Sequence, residues 1–235
     1  MRNQRALAGA IALTLAGSAI AAIVLVGPGD APRTDLAITS PPPPTDTRTP
    51  AREPAENPGW QVIKDPEAGV GYEVPREWTL AEDSQTVESS SGVELHHLAD
   101  FGTYLCQGAE YGRAFSGSGI AVGTDREETA SELAAAVAAD QYSDGSQTAR
   151  VTLSRPRPLI RDGVQGTLVR AEAEATAGDP CASTTGTVTV VALSTPAGIS
   201  VVVVAADTDG GAQPDAQLVG EDTMDLIGDS VRPLR

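Results

Sequence analysis

The side chains in this 235-residue chain that could do chemistry are few: two cysteines, Cys106 and Cys181, two histidines, His96 and His97, and three arginines at alternating positions, Arg155, Arg157 and Arg161. An even cysteine count in an oxidising compartment reads as a disulfide, here closing a loop of about 75 residues. The alternatives are a zinc pair or a catalytic thiol. Zinc asks for two further ligands, and the two histidines are adjacent, so in a regular strand they point to opposite faces. His96-His97 with Asp100 could do metal or acid–base work, but a Ser-His-Asp triad has only these two imidazoles to draw on, and no Gly-x-Ser-x-Gly elbow is present. Neither a catalytic set nor a metal site is therefore assigned.

Other patterns stop short of a motif. Gly117, Gly119 and Gly123 miss the dinucleotide fingerprint, because Val122 stands where the third glycine belongs. Asp207-Thr208-Asp209-Gly210-Gly211 begins like a calcium loop but has Ala212 in place of the later Gly and Leu218 in place of the closing Glu, so it reads as a turn. Arg155, Arg157 and Arg161 share parity and would form a basic stripe on one strand face, able to bind a phosphate or a partner carboxylate. The competing reading pairs them, with neighbouring Arg150 and Arg170, to acids such as Glu172 and Glu174 across the Asp162-Gly163 turn.

Three segments must position these groups. Residues 1–27 carry Arg2 and Arg5, then an uncharged apolar run from Ala6 to Gly27. As a helix that run reaches roughly 33 Å, enough to cross a bilayer core of about 30 Å. Arginines before the run place the N-terminus in the cytoplasm and the rest of the chain outside, as a single-pass signal anchor with the membrane as partner through residues 6–27. Cleavage near Ala21, after Ala19-Ile20-Ala21, would instead give a secreted protein. Residues 28–58 form a proline-rich linker, disordered or extended, with Pro41-Pro42-Pro43-Pro44 favouring polyproline II. Residues 59–235 suit one domain. They hold 27 Asp+Glu against 11 Lys+Arg, so this domain carries the chain's net charge of −16 and repels nucleic acid and anionic lipid.

Within the domain, strands are expected at 61–64, 70–74, 93–106 with a break, 118–122, 150–160, 164–176, 185–194 and 199–206. Asp162-Gly163 makes a two-residue hairpin and Pro196-Ala197-Gly198 the next turn. Val201-Val202-Val203-Val204 is apolar on both faces and belongs to a central strand. One helix is expected from Asp125 to Gln141, capped by Thr124 and Glu127, with Ala130, Leu133, Ala134 and Val137 inward. A second is expected from Pro214 to Ser230, with Leu218, Val219, Leu226 and Ile227 on its apolar side. This pattern predicts an α+β fold, an antiparallel sheet flanked by helices.

The domain opens with Gly59-Trp60-Gln61-Val62 and continues through Tyr72-Glu73-Val74-Pro75-Arg76-Glu77-Trp78; it closes with Ser230-Val231-Arg232-Pro233. With the two cysteines, the span and the tether, these segments resemble an uncharacterised actinobacterial family of membrane-anchored exported domains. More distantly, the Pro-x-x-Trp opening is similar to Mog1/PsbP-like proteins, which implies an α/β/α sandwich. The resemblance implies no catalytic residue and no cofactor. With only 2 Trp, 2 Phe and 4 Tyr in the chain, Trp60, Tyr72 and Trp78 are expected as structural aromatic anchors. The functional expectation is an extracytoplasmic binding module for an unidentified protein or cell-wall ligand. The alternatives are an exported hydrolase using His97 and a nearby acid, or a passive cell-envelope structural protein.

Overall fold

The computed structural model describes residues 55–143, 147–175, 179–211 and 217–234. The expected membrane span, most of the tether and Pro214 lie outside the described residues. Among the described residues no helix is long and apolar enough to cross a membrane. The elements in chain order are β1 (Trp60–Asp65), β2 (Val70–Pro75), β3 (Thr79–Leu80), β4 (Val87–Glu88), β5 (Glu94–Phe101), β6 (Tyr104–Cys106), β7 (Ala109–Tyr111) and β8 (Ala114–Ala121). There follow α1 (Arg126–Tyr142), β9 (Arg150–Leu153), β10 (Arg157–Arg161), β11 (Val164–Glu174), β12 (Thr185–Thr195), β13 (Gly198–Asp207), α2 (Glu221–Ser230) and β14 (Arg232–Pro233).

The centre is an antiparallel sheet in the order β10-β11-β12-β13-β8-β5-β3, with β4 added on β5 and β9 on β11. The Val201–Val204 run lies on β13, between β12 and β8, and its alternation divides the core in two. Val201, Val203 and Ala205 pack under α1 with Leu133, Ala134 and Val137. Val202, Val204 and Ala206 pack on the other side with Met224 and Ile227 of α2 and with Ile63, Val70 and Tyr72. Those last residues belong to a separate three-stranded sheet, β1-β2-β14. A helix therefore covers each face, as expected, and on the α2 face a small sheet shares the covering.

Local sequence explains most boundaries. Arg161 pairs with Val164, and the two residues between, Asp162 and Gly163, have φ of 47° and 84°, the double left-handed conformation of a tight hairpin turn. The cap of α1 is Asp125, one residue beyond the expected Thr124; its carboxylate accepts from the amides of Glu127 at 2.8 Å and Glu128 at 3.1 Å. An acid also suits the positive end of the helix dipole. Helix α2 starts at Glu221, seven residues after Pro214, and Leu226 faces solvent while Met224 and Ile227 carry the buried stripe.

The expected strand 150–160 is two pieces. β9 and β10 both pair with β11, and residues 154–156 face only 169–170 between the two registers. One extra residue makes a bulge, which flips strand parity. β10 is an edge strand and carries Pro158, tolerated there because no ladder bond is asked of its missing N–H.

Candidate functional site

A cleft of about 410 Å³ opens at the end of the sheet where β1 finishes and β5 begins; Asp65, Glu67, Asp83, Glu94, His96 and His97 are among its walls. Both histidines line it, contrary to the opposite-face expectation. The reason is a bulge between His96 and Ala99, in which His97 adopts φ 49° and breaks the strand's alternation. His97 Nε2 lies 3.8 Å from Asp65 Oδ1, and His96 Nε2 lies 3.9 Å from Glu94 Oε2.

Asp65 forms the cleft floor and is almost fully buried. It accepts from the Ala68 amide at 2.9 Å, which closes the β1–β2 turn, and from the Ser118 hydroxyl at 2.8 Å. The Asp65-Pro66 dipeptide signals that turn, but nothing local announces the contact with Ser118. Tyr72, fully buried, donates its hydroxyl to the His97 carbonyl at 3.0 Å and so supports the bulge from below. Burial keeps its phenol well above the ordinary range. Gly119 also lines the cleft, and a Cβ there would collide with the Glu94 carbonyl, so a glycine is needed for β8 to run this close to β5. Gly117 and Gly123 have similar packing roles, against Leu98 and Thr129.

A second polar cluster lies at the opposite end of the sheet. Cys106 and Cys181 form the disulfide, with Cα atoms 5.7 Å apart, joining the β6–β7 hairpin to the segment before β12. Tyr104 donates to the Cys181 carbonyl at 2.6 Å, Tyr111 donates to Asp179 at 2.7 Å, and the two rings stack at 5.6 Å. The buried Arg113 guanidinium lies 4.2 Å from the Tyr104 ring centroid and donates to Asp207 at 3.2 Å and to the Gly210 carbonyl at 2.6 Å. Asp207 also accepts from Tyr142 at 3.0 Å. Burial pushes its carboxyl up to about 6, against the opposing pull of those two donors. The Tyr142 ring rests on Gly186, where a Cβ would overlap the phenol.

Asp209, in the calcium-like stretch, accepts from the hydroxyls of Ser183, Thr184 and Thr185 and from the amides of Thr184 and Gly211. Partial burial raises its carboxyl, and these donors more than offset that, holding it far below the ordinary range. The stretch is a fastened loop. Among the described residues no group of three or more His, Cys, Asp or Glu converges to hold a metal.

The other predicted residues fall elsewhere. Trp78 is buried and stacks on Phe101 at 6.0 Å, while Trp60 is half-buried against the same core. Arg155, Arg157 and Arg161 do not form one stripe, because Arg155 sits in the bulge between β9 and β10. Arg161 pairs with Asp229 of α2 at 2.8 Å, and Arg170 pairs with Glu221 at 3.2 Å and with Asp225. Arg150 pairs with Glu174 at 3.3 Å, the cross-strand contact expected, but the other two arginines fasten α2 instead. Arg155 and Arg157 remain exposed.

Sequence reading also missed Glu73. Its fully buried side chain accepts from the amides of Glu56 and Asn57 and from Arg232 at 3.0 Å. Burial raises this carboxyl, but the donors prevail and hold it below its ordinary value. The frame Tyr72-x-Val74-Pro75 drew the reading to its outer residues and hid the one between.

Comparison with known proteins adds a family and a distant structural likeness. The profile of a domain of unknown function, DUF8017, matches residues 53–235. No curated protein matches the chain. The solution structure of cyanobacterial PsbP (CyanoP) from Synechocystis sp. PCC 6803 aligns with 74% of this chain and 92% of its own, at 10% identity and a TM-score of 0.45.

Proposed function

Starting from the premise that the chain belongs to the DUF8017 family, a domain of unknown function, we propose that it is a membrane-anchored extracytoplasmic binding module whose cleft takes a cationic ligand. The anchor is residues 6–27 and the stand-off tether is residues 28–58; retention of residues 1–27 on the mature chain, read by mass spectrometry, is the test of that part. The observation that carries the binding reading is the cleft itself. Its volume suits a small ligand or the side chains of a larger one. Four carboxylates and two imidazoles around it, on a domain of net charge −16, name an ammonium or guanidinium group as the complement.

The hydrolase reading has one observation in its favour, His97 at 3.8 Å from a buried Asp65 within the cleft. The order of groups weighs against it. In a nucleophilic triad the imidazole stands between hydroxyl and carboxylate. Here Asp65 stands between Ser118 and His97, so the hydroxyl gives its only proton to a carboxylate.

The test is an NMR titration of the full chain in bilayer nanodiscs, following the ring signals of His96 and His97. Poly-L-lysine should shift both, and poly-L-glutamate of equal length neither. The Asp83→Asn/Glu94→Gln variant should abolish the response to poly-L-lysine while most of the negative charge remains. An equal response from that variant would make the attraction a property of net charge and sink the cleft as the site. Arg155 and Arg157 offer a separate contact to an anionic wall polymer; unchanged polymer binding in Arg157→Glu would remove it.

A further inference from the structure

Resting on that anchored, ligand-holding reading, we infer that Glu73 is a force-bearing clamp between the tether and the domain, and that β1 is the strand along which tension runs from the anchor to the cleft. β2 is the middle strand of the small sheet, between β1 and β14. From it the Glu73 carboxylate reaches both sides. It accepts from the Glu56 amide at 2.7 Å and from the Asn57 amide and side chain at 2.9 and 3.0 Å, where the tether enters the domain. It accepts from Arg232 of β14 at 3.0 Å, and Arg232 is also 3.6 Å from Glu56. The Glu73 amide donates to Ser230 Oγ at 2.9 Å, and that hydroxyl in turn donates to the Ile227 carbonyl at 2.7 Å. Ser230 and Arg232 of the closing Ser-Val-Arg-Pro segment thus dock on the residue inside Tyr-x-Val-Pro. The two sequence signatures are halves of one fastening.

The direction of load follows from register. The chain enters β1 at Trp60, opposite Pro75, and β1 ends at Asp65 on the cleft floor, opposite Val70. Those six residues span roughly 17 Å. A pull between a cleft-bound ligand and an N-terminal anchor therefore runs along β1, and the six paired positions resist together in place of opening one by one. Before that pull reaches Trp60 it must break the bonds at residues 56–57. Charge-assisted bonds to a buried carboxylate are among the stronger ones available.

The experiment uses the full chain, held in a nanodisc through its N-terminal span and pulled by a handle on Asp83→Cys at the cleft rim. In the parent chain the first rupture should occur at high force. Glu73→Gln should lower that force and expose a short early extension as residues 55–57 peel away. Arg232→Gln, which leaves the carboxylate in place, should give an intermediate force. Hydrogen exchange at the Glu56 and Asn57 amides should quicken about tenfold in Glu73→Gln, with β12 and β13 amides still protected. An unchanged rupture force in a natively protected Glu73→Gln chain overturns the clamp. So does loss of protection throughout β12 and β13 in both variants, since Glu73 would then serve the whole fold and not the junction. Failure of the anchor is read separately, by absence of residues 1–27 from the mature chain, because an N-terminal handle on a cleaved chain loads the same clamp.

Discussion

The two ends of the central sheet are built from the same residue types and use them in opposite ways. At the disulfide end, five hydroxyl and amide donors surround Asp209, enough to fill the roughly four acceptor positions of a carboxylate, and Asp207 is held between Arg113 and Tyr142. At the cleft end, Asp65 receives two, and the histidines stand 3.8 and 3.9 Å from their nearest acids, beyond hydrogen-bond length. Polar groups that satisfy one another fix a fold; groups left short of partners remain available to something else. The difference marks the first end as structural and is what the binding proposal for the second end rests on.

That contrast can be attacked at either end. The Cys106→Ser/Cys181→Ser variant should lose about 4 kcal/mol, the chain-entropy value for a loop of this size, read as a shift in denaturant midpoint. A loss below about 1 kcal/mol would mean the tyrosines and Arg113 hold the hairpin without the covalent bond. Arg113→Ala should cost about 3 kcal/mol, near the lower end for breaking a buried pair, because Asp207 can take up a proton once its partner is gone. Near-neutral behaviour would dissolve the idea of a saturated structural cluster.

The pH dependence of stability should carry the signature of the same end. Asp207 stands at about 6 in the folded chain against an ordinary 3.8, so the folded state binds its proton more tightly. Stability from this group is full below about pH 4 and declines as pH rises through about 6, by about 3 kcal/mol. Asp209 and Glu73 are depressed and act with the opposite sign: their contribution is present above the ordinary carboxylate range and is lost on acidification. Denaturant titrations should thus show a maximum at mildly acidic pH, and Asp207→Asn should flatten the limb between about pH 4 and 6. A limb unchanged in Asp207→Asn would assign the loss to another group. The smallest effect belongs to the cleft: Asp83→Asn/Glu94→Gln should leave stability within about 0.5 kcal/mol of the parent. A larger loss would make those acids structural and erase the contrast.

How much of this was legible beforehand follows sequence distance. The Asp162-Gly163 turn, the doubly buried valines of β13 and the inward stripe of α1 are local patterns, and they sit where local physics places them. The cysteine pair was legible across 75 residues because only one pairing exists. Arg113 with Asp207 and Glu73 with Arg232 are 94 and 159 residues apart and leave no trace in spacing. Periodicity misled where a bulge intervened. One extra residue near Arg155 dissolved a three-arginine stripe, and the bulge at His97 brought together two imidazoles that strict alternation sends apart.

Gly186 has a consequence for descent. Its missing side chain is the room in which the Tyr142 phenol sits, and that phenol is what Asp207 accepts from. No other amino acid fits at 186 while tyrosine stays at 142, and a smaller residue at 142 leaves a buried carboxylate with one donor fewer. The three positions form one heritable unit. Among diverging relatives they should be kept together or exchanged together, and a lineage that altered one alone would be expected to carry a compensating change at another.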